Sequence, residues 1–596
     1  METNVMTPQA IFSKVVQYMI PVFQRPYVWT AEQQWEPLWE DVTELAEARM
    51  ESGTVHGHFM GAVVLQQIGN SMQGIETRVV VDGQQRLTTM QILLDAIQEF
   101  CVDNGYEKPA ARLNMLTQNP EAFLGDDLNL VFKVWPTEFD QPAFCHAMRN
   151  ELDSRNYSGN RIVMAHNYFK EQMEQWLAQP GQKDQQEKAV EALEGVVRNS
   201  LEFAVISLNE SDNPHIIFET LNARGTPLLP SDQIKNHILY NANISIGYED
   251  EQSSANAKTL WDFGQDYWRQ EIGRGHQRRP RIDIFLNNWL ALRNGKEIRA
   301  HNEFPVFQRY SDSVKEEFSV WDVAADLRSL GEIYRRIDDC DYSNIATFLE
   351  RRKIMNMGAI MPPLMWLLSS NLPEPQLIKS IIVLESYLVR RMICGWSARG
   401  YASLFVNMIG ELDESDLDSV GDTIVRFLAK QEAAGSKWPD DQELLDAFLT
   451  RPLYEWLTVG RLNFVLRGIE EGLQTPLTEI QSLSTELQIE HIMPRGWREH
   501  WPISAEMEDE EQAKRHRDGI IHTIGNLTLV TARLNAKLSN DPWEQKRVEL
   551  GNHSVLFLNK TLLEDAPSVW DEEEIRKRGE KLHGVAIRVW PHADAI

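Results

Sequence analysis

The sequence predicts a multidomain α+β protein with a mixed N-terminal domain, a helical middle and a C-terminal domain that contains two short strands. A chain of 596 residues is too long for one hydrophobic core. The β-branched run Val79–Val81 is typical of a buried strand, and the apolar residues after it recur at helical spacing. Further along, apolar residues recur at intervals of three and four without a β-branched alternating run. We therefore predict domains at 1–244, 245–479 and 480–596.

The stretch after Val81 is predicted to be a strand-to-helix junction, because Gly83 breaks the strand where the backbone must turn. The apolar face of the helix that follows consists of Leu87, Met90, Leu94 and Ile97. The polar side chains at the junction are Asp82, Gln84, Gln85, Arg86, Thr88 and Thr89. A helix N-terminus suits a phosphate, to which Arg86 can add a bidentate contact, while Asp82 can contact a metal or a ribose. The alternative is an ordinary turn with a solvated arginine.

Two further segments carry polar side chains of the kind that bind nucleotides. Residues 18–29 contain two prolines, which argue against a helix, and an extended chain there would present Gln24, Arg25, Tyr27 and Trp29. The alternative is a strand whose aromatic residues lie in the core. The second segment follows the predicted strand Phe203–Ile206, and its polar residues flank Gly225: Glu219, Asn222, Arg224, Lys235 and Asn236. The alternative there is a turn followed by a helix that Ser231 or Asp232 caps.

Charge and cysteine content narrow the class of protein. The formal net charge is −29 and the sequence pI is about 5.0, which weighs against a generally basic surface. Two local basic patches, 274–281 and 514–517, are each either a DNA contact or a solvated loop. Arg390–Arg391 lies on a predicted helix, where we expect buried stems and exposed charged heads rather than a catalytic arginine finger. The four separated cysteines and the absence of an apolar leader or span predict a cytoplasmic protein without disulfides, structural zinc or membrane contact.

Three motifs in a fixed order make the N-terminal part resemble a known family. They are Ile20-Pro21-x-Phe23-Gln24-Arg25-Pro26-Tyr27-x-Trp29, Asp82-Gly83-Gln84-Gln85-Arg86 and Phe218-Glu219-x-Leu221-Asn222-x-Arg224-Gly225. The combination resembles the N-terminal domain of GmrSD-type and SspE-type proteins, which are modification-dependent (Type IV) restriction and anti-phage proteins. The resemblance implies a ParB/sulfiredoxin-like domain that binds and hydrolyses GTP, UTP, CTP or ATP. The resemblance assigns Asp82–Arg86 and the segment with Gln24 and Arg25 to the nucleotide. With the polar residues around the motifs, the predicted nucleotide ligands are Gln24, Arg25, Asp82, Gly83, Gln84, Gln85, Arg86, Thr88, Asn222, Arg224 and Lys235.

The C-terminal part carries a second set of polar residues. Leu487–Pro494 is predicted to contain a strand that ends at His491, and Ile524–Val530 is a second predicted strand. Asn535 follows Asn526 by nine residues. A single-metal nuclease needs a base that activates water and a hard cation beside the scissile phosphate. A neutral imidazole suits the base, and oxygen ligands suit Mg²⁺.

The order and spacing of His491, Asn526 and Asn535 resemble an HNH (His-Me finger) nuclease, as in the second half of the same restriction family. The resemblance makes His491 the general base and Asn526 the residue that holds the loop or the base in place. It makes Asn535 a ligand of Mg²⁺ or Mn²⁺, and Glu490 a second ligand. Candidates for phosphate contacts are then Lys537, Asn540 and Lys546.

Taken together, these predictions describe an endonuclease with a regulatory nucleotide site. An NTP-binding sensor is joined through a helical connector to a ββα-metal (HNH) nuclease that cleaves or nicks modified or phage DNA. Two alternatives stay open: a nucleotide-gated DNA-binding regulator whose HNH fold no longer cuts, and an NTP-switched nuclease that acts on RNA. The sequence does not decide which modification is sensed, which NTP is preferred or whether the chain forms a homodimer.

Overall fold

The computed structural model describes residues 2–21, 24–53, 55–70, 74–124, 128–149, 157–183, 185–208, 229–242, 259–273, 278–478, 486–501, 503, 510–564 and 568–596. The chain forms two compact units. The first comprises Met1–Ile284 and Phe304–Ala325, and the second comprises Phe285–Glu303 and Asp326–Ile596. The domain boundaries drawn from the sequence, at 244/245 and 479/480, stay predictions.

The first unit is built on a six-stranded mixed sheet. Its strands are β1 (Glu2–Met6), β2 (Val16–Met19), β3 (His58–Asn70), β4 (Glu76–Asp82), β5 (Val134–Trp135) and β6 (Leu201–Leu208). They lie side by side in the order β1-β6-β3-β4-β2-β5. β3 is antiparallel to β4 and parallel to β6, β2 is parallel to β4 and β5, and β1 is antiparallel to β6. A separate antiparallel pair consists of β7 (Glu271–Ile272) and β8 (Arg279–Pro280).

β4 lies inside this sheet, and its sequence explains the position. The run Val79–Val81 is at most 2% exposed, so the β-branched side chains are buried on both faces. Val80 joins the large apolar core on one face, while Val81 joins a small cluster with Val64 and Leu208 on the other. The structure confirms the two strands predicted in this region. Val79–Val81 lies within β4, and Phe203–Ile206 lies within β6.

Helices provide most of the core of the first unit. Up to residue 272 they are α1 (Pro8–Phe12), α2 (Glu36–Ser52), α3 (Gln84–Asp103), α4 (Glu107–Thr117), α5 (Gln141–Arg149), α6 (Arg161–Leu177), α7 (Pro180–Lys183), α8 (Gln186–Asn199), α9 (Pro230–Asn241) and α10 (Asp266–Arg269). The residues predicted to form the apolar face of α3 are all fully buried: Leu87, Met90, Leu94 and Ile97. Ile92 and Leu93 are buried as well, because α4 and α6 also pack on this helix. α3 is therefore enclosed on more than the single face that its spacing predicts.

The stretch 281–472 is helical, as its spacing predicts, and contributes to both units. Its helices are α11 (Arg281–Asn294), α12 (Glu303–Val314), α13 (Val320–Asp338), α14 (Ala346–Met355), α15 (Met361–Ser369), α16 (Glu374–Ile393), α17 (Tyr401–Asp413), α18 (Val420–Ala429), α19 (Asp441–Thr450), α20 (Leu453–Trp456) and α21 (Val459–Gly472). The expected exposed heads of Arg390 and Arg391 are wrong. Both side chains are fully buried, because their guanidinium groups donate to carbonyl oxygens such as those of Trp590 and Lys437.

The end of the second unit combines a two-stranded sheet with helices. β9 (Leu487–His491) is antiparallel to β10 (Leu527–Thr531), with His491 opposite Leu527. The helices are α22 (Glu510–Ile520), α23 (Ala532–Leu538), α24 (Trp543–His553), α25 (Phe557–Glu564) and α26 (Glu572–Val589). The predicted strand end at His491 is confirmed. The second strand starts at Leu527 rather than Ile524, because Ile524–Asn526 forms a 3₁₀ turn.

The predicted fold class is confirmed at a coarse level. The chain is a mixed α/β protein, mostly helical, with a six-stranded mixed sheet in its N-terminal region. A π-helical turn and short 3₁₀ helices complete the elements: Ala31–Trp35 is π-helical, and Glu121–Phe123, Leu128–Val131, Gly358–Ile360, Leu417–Ser419, Ile524–Asn526 and Ala593–Ala595 are 3₁₀. Among the described helices, none combines the length and apolarity that a bilayer crossing requires.

Candidate functional site

β4 runs directly into α3 through Gly83. This glycine has a φ of +91°, and a Cβ on it would lie 2.9 Å from Cγ2 of Val63 and 3.1 Å from the carbonyl oxygen of Ala62. The positive φ and the close approach both favour glycine. Asp82, the last residue of β4, is half-buried opposite Val64 of β3. The turn therefore places the N-terminus of α3 against β3. The N-cap residue is Gly83, which has no side chain to bond the first N–H groups of the helix.

Arg86 lies half-buried in the first turn of α3. Its Nη1 donates to the carbonyl oxygen of Ala62 at 2.9 Å. Gly61, whose φ is +102°, leaves room for this side chain, since a Cβ there would lie 2.8 Å from Nε of Arg86. The side chain is thus held against β3, unlike the solvated arginine of the alternative interpretation. A guanidinium carries five N–H donors, so it can contact a carbonyl and an anion together.

Side-chain amides join the segment 24–28 to this junction. Nε2 of Gln24 donates to the carbonyl oxygen of Val81 at 2.8 Å. Gln85 accepts from the backbone N–H of Val28 at 2.9 Å and donates to the carbonyl oxygen of Pro26 at 3.1 Å. Both glutamines are buried. The structure therefore brings the first two motifs together. Gln24 and Gln85, both predicted nucleotide ligands, make the hydrogen bonds that join them.

Tyr27 lies in the interior of the first unit. Its hydroxyl lies 2.7 Å from Oγ1 of Thr89 and accepts from Nε1 of Trp35 at 2.9 Å. Burial raises the pKa of the Tyr27 hydroxyl well above its ordinary value. For this tyrosine the structure agrees with the alternative of a core aromatic residue rather than base stacking. Gln84 and Thr88 are buried too, and their assignment to the nucleotide stays a prediction.

A half-buried group of charges lies between Arg25 and Lys235. Burial raises the pKa of Asp232, and the positive charges of Lys235 and Arg25 oppose that rise. Burial lowers the pKa of Lys235 to about 8, and Asp232 opposes this shift. The positive charge of Arg269 lowers the pKa of both Asp232 and Lys235. The Arg269 guanidinium lies 3.6 Å from the ring centroid of Phe139. Asp232 thus interacts electrostatically with two predicted nucleotide ligands from distant segments.

The whole of the third motif, 218–225, lies outside the described residues, and this includes Asn222 and Arg224. Phe23 of the first motif lies outside them as well. Residues 274–277 of the first basic patch are also outside the described ranges. α9 begins at Pro230, so Asp232 lies within its first turn rather than before it.

The buried carboxyl of Asp140 is expected to make the stability of the first unit depend on pH. It accepts from the backbone N–H of Tyr27 at 2.8 Å, and burial raises the pKa of its carboxyl to about 6. The folded state then binds more protons than the unfolded state, so stability falls as the pH rises from about 4 to about 6. Asp140→Asn does not titrate, and we expect it to gain about 1–3 kcal/mol over the wild type across this window.

Thermal melts of both proteins below and above that window measure the gain. Glu121→Gln, a change of an exposed acid in the same unit, is the control. A stability difference between Asp140→Asn and wild type that stays constant with pH would contradict the raised pKa.

His491, the last residue of β9, points into the interior of the second unit and is 6% exposed. Its Nε2 lies 3.2 Å from Nδ1 of His522, and the Tyr454 ring packs edge-on with 4.4 Å between ring centroids. Burial, reinforced by the neighbouring His522 and Arg495, lowers the pKa of His491 to about 3. The imidazole is therefore uncharged at neutral pH, which is the state that a general base needs.

Asn526 ties the turn after β9 to the turn before β10. Its Oδ1 accepts from the backbone N–H of Met493 at 2.8 Å and from Nε1 of Trp570 at 3.0 Å. Its Nδ2 donates to the carbonyl oxygens of Met493 at 2.8 Å and Ile521 at 2.9 Å. The side chain is fully buried, so these bonds fix the backbone two residues after His491.

Glu490 and Asn535 lie on the side of β9 that faces α23. Alternate strand residues share a face, so Glu490 shares its side with Gln488, and Nδ2 of Asn535 donates to Oε1 of Gln488 at 2.8 Å. Nζ of Lys546 lies 2.6 Å from Oε1 of Glu490 and 2.9 Å from the carbonyl oxygen of His491. The Lys546 side chain is fully buried. It is an internal partner of Glu490, and the phosphate contact expected of it is wrong.

Glu490 and Asn535 carry oxygen atoms of the kind that a hard cation takes as ligands. In the portion of the chain that the structure describes, no three His, Cys, Asp or Glu side chains are grouped to hold a metal ion. Glu490 and Asn535 offer a carboxylate and an amide oxygen. Burial raises the pKa of Glu490, and Lys546 opposes the rise. Mg²⁺ usually takes one or two carboxylates and completes its shell with water and phosphate oxygens, which this pair of donors permits.

The basic patch at 514–517 is largely paired. Nζ of Lys514 lies 2.8 Å from the carboxylate of Glu510. Arg517 is 5% exposed, and its Nε lies 2.5 Å from the carboxylate of Glu572. These ion pairs weigh against a DNA contact for both residues. The alternative of a solvated loop is wrong as well, because the patch lies on α22 and Arg517 is buried.

The structure adds residues to the His491 site that motif spacing did not indicate. His522 stands four residues before Asn526 in the same turn, and that proximity is the signal that could have identified it. Tyr454 and Glu455 come from α20, and no local pattern relates them to His491.

The chain thus carries charged residues at a strand-to-helix junction and, further along, a strand pair that presents a buried histidine. Two family models match the chain: the N-terminal domain of GmrSD restriction endonuclease at residues 9–239, and the C-terminal domain of GmrSD restriction endonucleases at residues 438–585. Together they cover more than half of the chain. The protein belongs to the GmrSD restriction endonuclease family, so it is an enzyme, and the family implies DNA cleavage. A comparison with curated proteins found no match.

Proposed function

We propose that this family member is an NTP-dependent or NTP-regulated endonuclease that cleaves or nicks modified or phage DNA in the cytoplasm. The first unit would bind and hydrolyse the NTP in a ParB/sulfiredoxin-like domain, and the second would cut in an HNH fold. The observation that carries the proposal is the buried His491 at the end of β9, with Asn526 and Asn535 in the elements that follow. The alternatives, a non-cutting regulator and an RNA nuclease, become outcomes of the test.

In the nuclease, His491 takes the proton of the attacking water, since its imidazole is neutral at working pH. Asn526 holds the turn that follows His491. Glu490 and Asn535 would hold Mg²⁺ or Mn²⁺, which when bound supplies positive charge beside the scissile phosphate. Lys546 keeps the Glu490 carboxylate in place. An exposed guanidinium 5.9 Å from the Tyr454 ring centroid, that of Arg495, is placed to meet a DNA phosphate.

In the first unit, the support is the N-terminus of α3 with Arg86 in its first turn. The helix N-terminus and the guanidinium both favour a phosphate group. Arg25 and Lys235 supply positive charge from two other segments, and Gln85 binds the 24–28 segment to the junction. Three segments that are distant in the chain thus contribute to a charged region suited to a triphosphate. The geometry leaves the base open among GTP, UTP, CTP and ATP.

A cleavage assay on a panel of DNAs tests the proposal. Unmodified plasmid, plasmids with different base or backbone modifications, and phage DNA are incubated with Mg²⁺, with and without each NTP, and with EDTA as the control. We expect nicking or cutting that requires Mg²⁺ and responds to NTP. Binding without cutting would support the regulator, and cutting of RNA but not DNA would support the RNA nuclease.

Arg86→Ala is expected to weaken NTP binding by about ten- to a hundredfold, since a lost charge-assisted contact is worth roughly 1.5–3 kcal/mol. DNA restriction should fall as well, although His491 is intact. Titration of labelled NTP into both proteins measures the effect. Thermal melts should show a small loss of stability, because the bond to the Ala62 carbonyl is removed.

Arg86→Lys is the matched control, because lysine keeps the charge but loses the planar fork. We expect its affinity to lie between those of wild type and Arg86→Ala. Equal affinity in all three proteins would mean that the junction is only a turn, and the nucleotide part of the proposal would then be wrong.

A further inference from the structure

A second histidine stands directly behind the proposed base. Nδ1 of His522 lies 3.2 Å from Nε2 of His491, and the two rings are nearly perpendicular, at 89°. Both rings are shielded, with 6% of His491 and 12% of the His522 side chain exposed. The two imidazoles are therefore joined by a hydrogen bond within the protein rather than through bulk water.

The backbone and an aromatic ring fix the position of His522. Its carbonyl oxygen accepts from the backbone N–H of Tyr454 at 3.2 Å, and its own N–H donates to the carbonyl oxygen of Gly519 at 3.3 Å. The Tyr454 ring stacks on His522 with an interplanar angle of 21°, and the same ring meets His491 edge-on. Tyr454 thus holds both imidazoles in one arrangement.

The outer nitrogen of His522 faces a carboxylate. Nε2 of His522 lies 3.5 Å from Oε1 of Glu455, the residue after Tyr454 on α20. A carboxylate only accepts hydrogen bonds, and a neutral imidazole has one donor and one acceptor nitrogen. Glu455 therefore favours the proton of His522 on Nε2, and this leaves Nδ1 as an acceptor.

The same reasoning fixes the proton on the neighbouring ring. If Nδ1 of His522 accepts, then Nε2 of His491 must donate across the 3.2 Å contact. The lone pair of His491 is then on Nδ1, which is the nitrogen left to meet a water molecule. When His491 takes up a proton it still donates from Nε2, and that bond becomes charge-assisted. The arrangement follows the logic in which a third group orients a catalytic base.

We infer that His522, oriented by Glu455, is a positioning residue that holds His491 in the Nε2–H tautomer and leaves Nδ1 as the proton acceptor. The catalytic part of this inference rests on the proposed nuclease function. The tautomer itself does not, because it is a property of the folded protein without substrate.

Two substitutions separate the hydrogen bond from the packing. His522→Phe keeps a ring against Tyr454 but removes the acceptor. His522→Asn keeps an acceptor close to the position of Nδ1. For His522→Phe we expect kcat for DNA cleavage to fall about 10- to 100-fold, the usual range for residues that orient a catalytic group, with KM for DNA nearly unchanged. His522→Asn should recover most of the lost kcat. His592→Asn, a change outside this cluster, should cut like the wild type.

Nuclear magnetic resonance of the full chain with ¹⁵N-labelled histidine reads the tautomer without any cleavage. His491→Asn identifies the His491 signals. We expect the Nε2–H tautomer for His491 in the wild type and in His522→Asn, and a mixture or the Nδ1–H tautomer in His522→Phe. Glu455→Gln should shift the mixture in the same direction as His522→Phe, because an amide can donate to the outer nitrogen.

The two readouts distinguish the failure of each idea. A wild-type His491 with its proton on Nδ1, or a His522→Phe variant with unchanged tautomer and unchanged kcat, would overturn the positioning role. A wild-type protein that cuts no DNA yet shows the expected tautomers would overturn the nuclease proposal and leave the positioning of His491 intact.

Discussion

Replacing His491 with alanine is expected to lower the rate of DNA cleavage by roughly two to four orders of magnitude, the usual contribution of a positioned general base. The ring is 6% exposed, and burial lowers its pKa to about 3, so the imidazole is uncharged at neutral pH. NTP hydrolysis should persist, because the residues assigned to the nucleotide belong to the first unit and His491 belongs to the second. Single-turnover cleavage of a DNA that the wild type cuts measures the loss.

Two comparisons show whether His491→Ala slows the cleavage step itself rather than DNA binding or folding. A gel-shift titration should give the same DNA affinity for His491→Ala and wild type, and the NTPase rate should match within experimental error. His592→Asn, a histidine change in the same unit but outside the site, should cut at the wild-type rate. If His491→Ala cleaves as fast as the wild type, His491 is not the base and another residue must activate the water.

The sequence sufficed for features that short-range chemistry determines. The run Val79–Val81 predicted a buried strand, because β-branched side chains pack well in a sheet. Gly83 predicted the turn into a helix, because glycine readily adopts the positive φ found there. The strand that ends at His491 was likewise predictable from its local sequence. The meeting of the first two motifs was not derivable from spacing, since the bonds from Gln85 to residues 26 and 28 span nearly sixty positions.

What the sequence could not show are partners supplied by distant elements. Arg390 was expected to expose its charge, but Trp590, two hundred residues later, accepts a bond from its Nε at 2.6 Å. Lys546 was expected to meet phosphate, but Glu490 binds it inside the protein. Long charged side chains are usually exposed to solvent. Only the tertiary fold shows which of them are buried with a hydrogen-bond or ion-pair partner. The residues behind His491 were missed for the same reason.

Asn526→Ala is expected to destabilise the second unit by about 3–5 kcal/mol. The buried side chain makes four hydrogen bonds, two with the backbone of Met493 and one each with Ile521 and Trp570. Alanine removes all four and leaves these groups buried without a partner, at a cost of roughly 1–3 kcal/mol for each group. The total is lower than the sum of these costs, because the neighbouring groups can shift together after the substitution and their costs are not additive.

Asn535→Ala is the matched control, because it changes the same residue type in the same strand-and-helix region. Asn535 is half-buried and donates to the exposed Gln488, so its loss should change stability by less than about 1 kcal/mol. DNA cleavage should fall in both variants, through lost folding in one and through a lost metal ligand in the other. Denaturant titrations followed by tryptophan fluorescence, with cleavage assays on the folded fraction, separate the two causes. If Asn526→Ala unfolds at the same denaturant concentration as Asn535→Ala, the bonds to Met493 do not secure the turn beside His491, and Asn526 must act in another way.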